Sequence, residues 1–173
     1  MRIRSRIGLV LGAGVALATL ALGVVPAAAG ASSCGIKWGS LPKSTPEMTG
    51  AELTGARPGR HDCFDRLVFD LAGKPAAGYD VRYVDVFRAD GSGDVVPVAG
   101  GAVLSVTVRA PAYRAIRTSV AGYRTFRDVA WGGSFEGQTT FGLGVRARLP
   151  FRVFQLDGPG NGTRVVVDVA HRW

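Results

Sequence analysis

The side chains that could perform nucleophilic or acid–base chemistry are few in this chain. It has two histidines, His61 and His171, and two cysteines, Cys34 and Cys63. His61-Asp62 has the form of a general base beside an orienting carboxylate, but the nucleophile would have to be a serine, because Cys63 is expected in a disulfide. No Gly-x-Ser-x-Gly nucleophile elbow occurs in the sequence. We therefore expect a protein that is not an enzyme.

Carboxylates offer a second route to catalysis, and metals a third. A pair of acidic side chains could hydrolyse a glycosidic bond, but sequence spacing does not set their separation in space. The candidates for such a wall hydrolase are Asp62, Asp65, Asp70 and Glu136. Two cysteines and two histidines are too few for a four-cysteine zinc site or a multi-histidine centre. The stretch 90–94 lacks the ligand count and closing Glu of a calcium loop, so we expect no metal and no cofactor.

The segment from residue 113 to residue 127 combines arginines with aromatic side chains. Guanidinium groups pair bidentately with carboxylate or phosphate, and aromatic faces stack on sugar rings. Such groups suit peptidoglycan stem peptides, anionic wall glycopolymers or a membrane surface, and the alternative is a solvated basic face. The candidate ligand-binding residues are Tyr113, Arg114, Arg117, Tyr123, Arg124 and Arg127.

The first 31 residues have the pattern of a secretory signal peptide. Three arginines among the first six residues form a positive n-region, and residues 7–25 carry no charge. Small residues fit a signal-peptidase site, so cleavage is expected after Ala29 or Ala31. An uncleaved transmembrane anchor is the alternative, and membrane contact is expected only in that case. The formal charge of +8 is not taken as a sign of nucleic-acid binding, because the protein is expected to be exported.

The two cysteines both follow the expected cleavage site. In an oxidising, extracytoplasmic setting Cys34 and Cys63 should pair. The bridge would tie an irregular leader, residues 32–62, to the first strong strand, and chain entropy makes it worth roughly 3–4 kcal/mol. A redox-active pair is disfavoured, because catalytic dithiols lie close together in sequence.

From Asp65 onward the hydrophobic pattern is that of β-structure. Residues 113–124 are either a short helix or a long loop. Frequent turns between short apolar runs predict an all-β sandwich or a partly closed barrel, and large aromatics beside glycines favour a tightly filled sandwich. Strands are predicted over 66–71, 81–87, 95–98, 103–108, 126–135, 138–145, 151–156 and 163–170.

One seven-residue pattern occurs twice. Residues 66–72 (RLVFDLA) and 164–170 (RVVVDVA) share an Arg, three apolar residues, an Asp, an apolar residue and an Ala. In a strand, alternate apolar side chains would face the core, and the Arg and Asp would share the opposite face. Because the copies lie at the start and end of the domain, they predict a pseudo-symmetric fold in which the first and last strands are equivalent.

These patterns resemble the AMIN-like domain of secreted actinobacterial proteins. The stretches that carry the resemblance are HDCFDRLVFDL (61–71), FEGQTTFGLGVR (135–146), PFRVFQL (150–156) and RVVVDVAH (164–171). The resemblance covers residues 63–173 and implies a compact β-sandwich of two pseudo-symmetric sheets. Related AMIN domains are targeting modules that accompany cell-wall amidases and secretion or pilus components, so the resemblance implies peptidoglycan as a ligand.

Together these features predict three segments and one leading function. The segments are a signal peptide (1–31), a disulfide-tethered irregular leader (32–62) and an AMIN-like β-sandwich domain (63–173). The expected function is that of a secreted or wall-associated, non-enzymatic module that binds peptidoglycan or an anionic wall glycopolymer. The alternative is a secreted protein–protein module, such as an inhibitor or an envelope-complex subunit, with residues 110–125 as its recognition segment.

Overall fold

The computed structural model describes residues 34–74 and 76–173, and all of these residues are strands, turns or irregular connections. The predicted all-β class is confirmed, whereas the predicted signal peptide and its cleavage site lie outside the described residues. No described stretch forms a helix capable of crossing a membrane. The strands are β1 (Lys43–Thr45), β2 (Leu53–Arg60), β3 (Phe64–Leu71), β4 (Tyr79–Val84), β5 (Ala102–Val108), β6 (Phe126–Phe135), β7 (Gln138–Val145), β8 (Phe151–Asp157) and β9 (Thr163–Ala170).

The strands form two antiparallel sheets with the core between them. One sheet has the order β1-β4-β5-β7-β6 and the other has the order β2-β3-β9-β8. Alternate side chains of β3, β5, β7 and β9 face the core, as the sequence predicted for β3 and β9. Phe69 of one sheet meets Phe141 of the other with ring centroids 4.8 Å apart. The sandwich is therefore filled by interlocking side chains, with aromatic rings at its centre.

The repeated Arg-Asp pattern lies on two neighbouring strands of the four-stranded sheet. β3 and β9 pair antiparallel, so that Arg66 lies opposite Asp168 and Asp70 lies opposite Arg164. Because the two copies run in opposite directions, the Arg of each copy faces the Asp of the other. The equivalence of the first and last motif strands is thus a pairing within one sheet. The two sheets themselves differ, with five strands and four.

Asp168 is the centre of an ion-pair cluster on the outer face of the four-stranded sheet. Its side chain has no exposed surface. Asp168 Oδ1 lies 2.6 Å from Arg66 Nε, and Asp168 Oδ2 lies 2.7 Å from Arg152 Nη2. The Arg152 guanidinium also lies 4.8 Å from the ring centre of Phe154 and 5.4 Å from that of Phe64. One buried carboxylate therefore joins side chains from β3, β8 and β9, and aromatic rings shield its partners from water.

The leader that was predicted to be irregular contains two strands, so that prediction is wrong for residues 43–45 and 53–60. β2 is an edge strand paired with β3, and β1 pairs with β4 at the edge of the other sheet. The β2 sequence, LTGARPGR, shows no alternation and includes Pro58, which an edge strand tolerates. Its conformation is imposed by β3. The Cys34–Cys63 disulfide is present as predicted.

The stretch 95–98, predicted to be a strand, makes only one isolated bridge, between Val95 and Arg88. It belongs to the β4–β5 connection, in which Phe87 is buried. A Cβ added at Gly132 or Gly142 would lie within 2.7 Å of the Phe87 ring. The apolar residues of this connection therefore cover glycines of the five-stranded sheet instead of extending it.

The buried carboxylate cluster generates a stability prediction. Asp168→Asn removes the charge that compensates Arg66 and Arg152, and we expect it to lower the free energy of unfolding by about 3 kcal/mol. Urea unfolding followed by tryptophan fluorescence measures the change.

The matched control is Asp70→Asn, which breaks the exposed Arg57–Asp70 pair, whose side chains are 54% and 31% exposed. Solvent screening limits that loss to less than about 1 kcal/mol. Equal losses for the two variants would contradict a special role for the buried cluster.

Candidate functional site

A basic cleft lies at one end of the sandwich, where β2, β7 and β9 end and β3 and β6 begin. We call it the end cleft. Its larger part has a volume of about 500 Å³ and its smaller part about 390 Å³, and the two share Asp62, Arg124 and His171. The remaining lining residues are Arg60, His61, Cys63, Asp65, Gly122, Arg146 and Arg172.

Asp65 forms the floor of the end cleft and is 1% exposed. Its Oδ2 accepts the backbone N–H of Thr125 at 2.5 Å and that of Phe126 at 3.3 Å. Its Oδ1 lies 3.1 Å from His171 Nε2. Asp65 begins β3 in one sheet, whereas Thr125 and Phe126 lead into β6 of the other. The carboxylate therefore holds the two sheets in a defined relation at the base of the cleft.

His171 is held on both of its ring nitrogens. Nδ1 lies 3.1 Å from the backbone carbonyl oxygen of Asp62, and Nε2 faces the carboxylate of Asp65. A carbonyl oxygen only accepts, so Nδ1 donates the hydrogen bond to Asp62. Arg146 donates to the His171 carbonyl oxygen. With both nitrogens engaged, His171 is suited to fixing the cleft wall and leaves no lone pair for a substrate.

Arginines form the wall of the end cleft, and they fall into two groups. Arg60 donates to the carbonyl oxygen of Ala121 at 3.1 Å, and its guanidinium lies 4.5 Å from the ring centre of Tyr123. Arg146 is similarly committed to backbone. The guanidinium groups of Arg124 and Arg172 are exposed and make no hydrogen bond or ion pair with residues 34–74 or 76–173. These two groups are open to an anionic ligand.

The predicted ligand-binding segment is part of an irregular connection between β5 and β6, so the long loop is the correct alternative. Of its predicted residues, Arg124 alone lines the cleft. Tyr123 supports Arg60, and Arg127 donates to the carbonyl oxygen of Phe126 at 2.8 Å and to those of Tyr123 and Arg124 at 3.3 Å. Buried apolar residues anchor this connection, namely Ala110, Ala112, Ile116 and Val120.

Three of the predicted residues lie elsewhere. Tyr113, Arg114 and Arg117 are exposed and do not line the end cleft, and the Tyr113 side chain is 76% exposed. Conversely, the sequence did not single out Arg60 or Arg172, which line the end cleft. The signal that could have found the cleft residues is position, because they flank strand ends that meet at one end of the sandwich.

His61 lies at the rim of the end cleft and stacks on Phe64, with ring centroids 4.3 Å apart. Burial lowers the pKa of His61 below its ordinary value, and the positive charges of Arg66 and Arg152 lower it further against the opposing effect of Asp168 and Asp62. The neutral ring is therefore favoured. Among the described residues, no group of three or more His, Cys, Asp or Glu side chains is arranged to hold a metal ion.

The family model of the AMIN-like domain matches residues 51–171, from just before β2 to the cleft histidine. The chain belongs to the AMIN-like domain family. The match to this AMIN-like domain begins before the predicted start at Cys63, because β2 is an integral strand of the sheet. No curated protein matches the chain, and no solved structure matches it either. The actinobacterial origin stays a prediction.

Removing the charge of the cleft floor should loosen the contact between the sheets. Asp65→Asn leaves an amide facing the N–H groups of Thr125 and Phe126, and we expect the free energy of unfolding to fall by about 2 kcal/mol. Urea unfolding measures the loss. Asp62→Asn, which changes an exposed side chain in the same cleft, should cost less than about 0.5 kcal/mol. A similar loss for both variants would show that Asp65 does not join the sheets.

The lowered pKa of His61 predicts a pH dependence of stability. A histidine whose pKa is lower in the folded state than in the unfolded state contributes fully above the unfolded pKa of about 6.5, and its contribution declines as pH falls through that value. We expect wild-type protein to lose more stability than His61→Gln between pH 7.5 and pH 5. Urea unfolding at both pH values tests this. An NMR titration midpoint for His61 at or above 6.5 would contradict it.

Proposed function

We propose that this AMIN-like domain is a non-catalytic, secreted or wall-associated module that binds peptidoglycan through the end cleft. The alternative ligand is an anionic wall glycopolymer. The family indicates a peptidoglycan-associated module in general. The observation that carries the proposal is that the guanidinium groups of Arg124 and Arg172 pair with no side chain in the described part of the chain, in a cleft whose floor is already fixed by hydrogen bonds.

The geometry favours binding of a negatively charged group. Guanidinium groups recognise carboxylates and phosphates through paired N–H donors, and a site is stronger when its groups do not have to be ordered on binding. Arg124 leads into β6, and Arg172 follows β9 on the other sheet. The contacts of Asp65 and His171 hold these two segments together, so a ligand would meet a wall that is already assembled.

Two observations support a non-catalytic role. Two of the side chains in the end cleft that could transfer a proton are engaged, since His171 is held on both nitrogens and Asp65 accepts from two N–H groups. Of the carboxylates considered for a wall hydrolase, Asp62 and Asp65 both line the cleft, but Asp65 is buried and already hydrogen-bonded, and Glu136 is remote. Glu136 follows the end of β6, whereas the cleft lies at its start, which places them roughly 30 Å apart for a ten-residue strand. Glycosidases need two carboxylates within about 10 Å.

The extracytoplasmic location is part of the proposal. The Cys34–Cys63 disulfide is compatible with an oxidising compartment, where such bridges persist. Cys63 lies in the cleft wall, and the bridge fixes the chain before β3 beside the binding residues. The disulfide therefore suits a binding module that works outside the cytoplasm.

Co-sedimentation with isolated sacculi tests the proposal. The purified protein is mixed with sacculi that carry or lack covalent anionic polymers, across a salt series. Arg124→Gln with Arg172→Gln should weaken binding at least about tenfold, because two charged hydrogen-bond donors are lost. Arg114→Gln with Arg117→Gln removes the same charge outside the cleft and serves as the matched control.

The outcomes separate site recognition from general charge attraction. Binding to stripped sacculi that persists at moderate salt and depends on the cleft pair supports the proposal. Equal weakening by both double variants, with loss of binding in salt, would show that the surface responds only to charge. Binding that requires the anionic polymers would identify the glycopolymer as the ligand.

A second function, recognition of a protein partner, is favoured by the exposed segment around Tyr113. This aromatic side chain is 76% exposed on an irregular connection that also carries Arg114 and Arg117. Aromatic and arginine side chains commonly anchor protein interfaces. Retention of one stoichiometric envelope protein that is lost on Tyr113→Ala would support this function, whereas retention unaffected by Tyr113→Ala would exclude the segment.

A further inference from the structure

The end cleft contains both signs of charge, and their arrangement bears on the kind of ligand that fits. Its wall carries Arg60, Arg124, Arg146 and Arg172, whereas its acidic side chains are Asp62 and Asp65. Asp65 is buried, and its charge is balanced by N–H donors and His171. Asp62 is exposed, lies in both parts of the cleft, and its carboxylate makes no hydrogen bond or ion pair with the described residues. One open acceptor therefore lies beside two open donors.

The open groups are complementary to a zwitterion. Arg124 and Arg172 can receive a carboxylate, and Asp62 can receive an ammonium group in the same cleft. A polyphosphate would gain from the arginines but would be repelled by Asp62, because like charges disfavour each other at short range. A ligand with a carboxylate and an ammonium on one carbon satisfies all three side chains.

Sugar rings are a poorer match for this surface. Of the described residues that line the end cleft, none is Trp, Tyr or Phe. Carbohydrate faces are commonly held by stacking on aromatic rings, and the wall here offers guanidinium and carboxylate groups. The volume of about 500 Å³ is that of a small-ligand site. The cleft is suited to the charged end of a peptide.

We infer that the end cleft recognises an amino-acid zwitterion, a carbon bearing a free carboxylate and a free ammonium, at the end of a peptidoglycan stem-peptide side chain. The inference rests on the proposed function and specifies its ligand. A stem peptide with a diamino-dicarboxylate residue presents this group, because the distal end of that residue stays outside the peptide bonds. Arg124 and Arg172 bind the carboxylate, and Asp62 binds the ammonium.

Three synthetic tripeptides that differ only at the distal end of the third residue test the inference. The first contains 2,6-diaminopimelate, the second lysine, which lacks the distal carboxylate, and the third 2-aminopimelate, which lacks the distal ammonium. Isothermal titration of the full chain should show at least about tenfold tighter binding of the first peptide than of the other two. Each missing group removes one charge-assisted interaction.

Protein variants assign each pole of the zwitterion. Asp62→Asn should abolish the preference for diaminopimelate over 2-aminopimelate and keep the preference over lysine. Arg124→Gln with Arg172→Gln should abolish the preference for diaminopimelate over lysine and keep the preference over 2-aminopimelate. Arg114→Gln with Arg117→Gln should change neither preference. All of these side chains are exposed, so the fold is expected to persist, and a thermal unfolding curve verifies it.

Equal affinities for the three peptides would overturn the inference. The inference would also be overturned if Asp62→Asn kept the preference for diaminopimelate over 2-aminopimelate. Displacement of the diaminopimelate peptide by inorganic phosphate, at a phosphate concentration equal to that of the free peptide, would overturn it as well. Co-sedimentation with sacculi is scored separately. If the protein binds sacculi but does not discriminate between the peptides, zwitterion recognition is contradicted and the proposed function stands. If it discriminates between the peptides but does not bind sacculi, the polymer-binding function is contradicted and recognition of the charged group stands.

Discussion

The pairing of β3 with β9 is the contact on which the rest of this structure depends. It joins strands from opposite ends of the domain, with Phe64 opposite Ala170 and Leu71 opposite Thr163. The pairing completes the four-stranded sheet and brings both Arg-Asp motifs together. The pairing continues past the strand ends, where the His171 N–H donates to the Cys63 carbonyl oxygen at 2.8 Å. This contact places His171 beside Asp65. Core, ion-pair cluster and end cleft all follow from this register.

Two buried aspartates in β3 and β9 have different tasks. Asp168 faces outward and is compensated by two arginines whose guanidinium groups lie over aromatic rings. Asp65 faces the other sheet and is compensated by backbone N–H groups and His171. Burying a carboxylate is unfavourable unless its acceptors are satisfied, so each partner set is needed for the strand to fold as it does. The first cluster stabilises a sheet, and the second assembles the wall of the end cleft.

The end cleft shows how a rigid sandwich can present groups for recognition. Strands supply the fixed floor, and the arginines lie on segments that precede or follow strands. Such connections tolerate exposed charge, because they are not required to fill the core. Glycines have a different task on the five-stranded sheet, where Gly132 and Gly142 leave space for Phe87. One part of the surface is therefore sealed by apolar packing while another is left open and charged.

The sequence by itself determined the all-β class, the inward positions of β3 and β9, the Cys34–Cys63 pairing and the family, because period-two patterns and cysteine placement are local or compositional signals. It grouped Arg124 with Tyr113, Arg114 and Arg117 as candidate ligand-binding residues, since neighbours in sequence were the only available guide, and of these four only Arg124 lines the end cleft. Tertiary structure decided the rest. β2 is a strand because it pairs with β3. Residues 95–98 pack on the five-stranded sheet because Gly142, which has no side chain, leaves room for Val98. Arg124 met Arg172 and Asp62 because antiparallel pairing brings distant strand ends to one end of the sandwich.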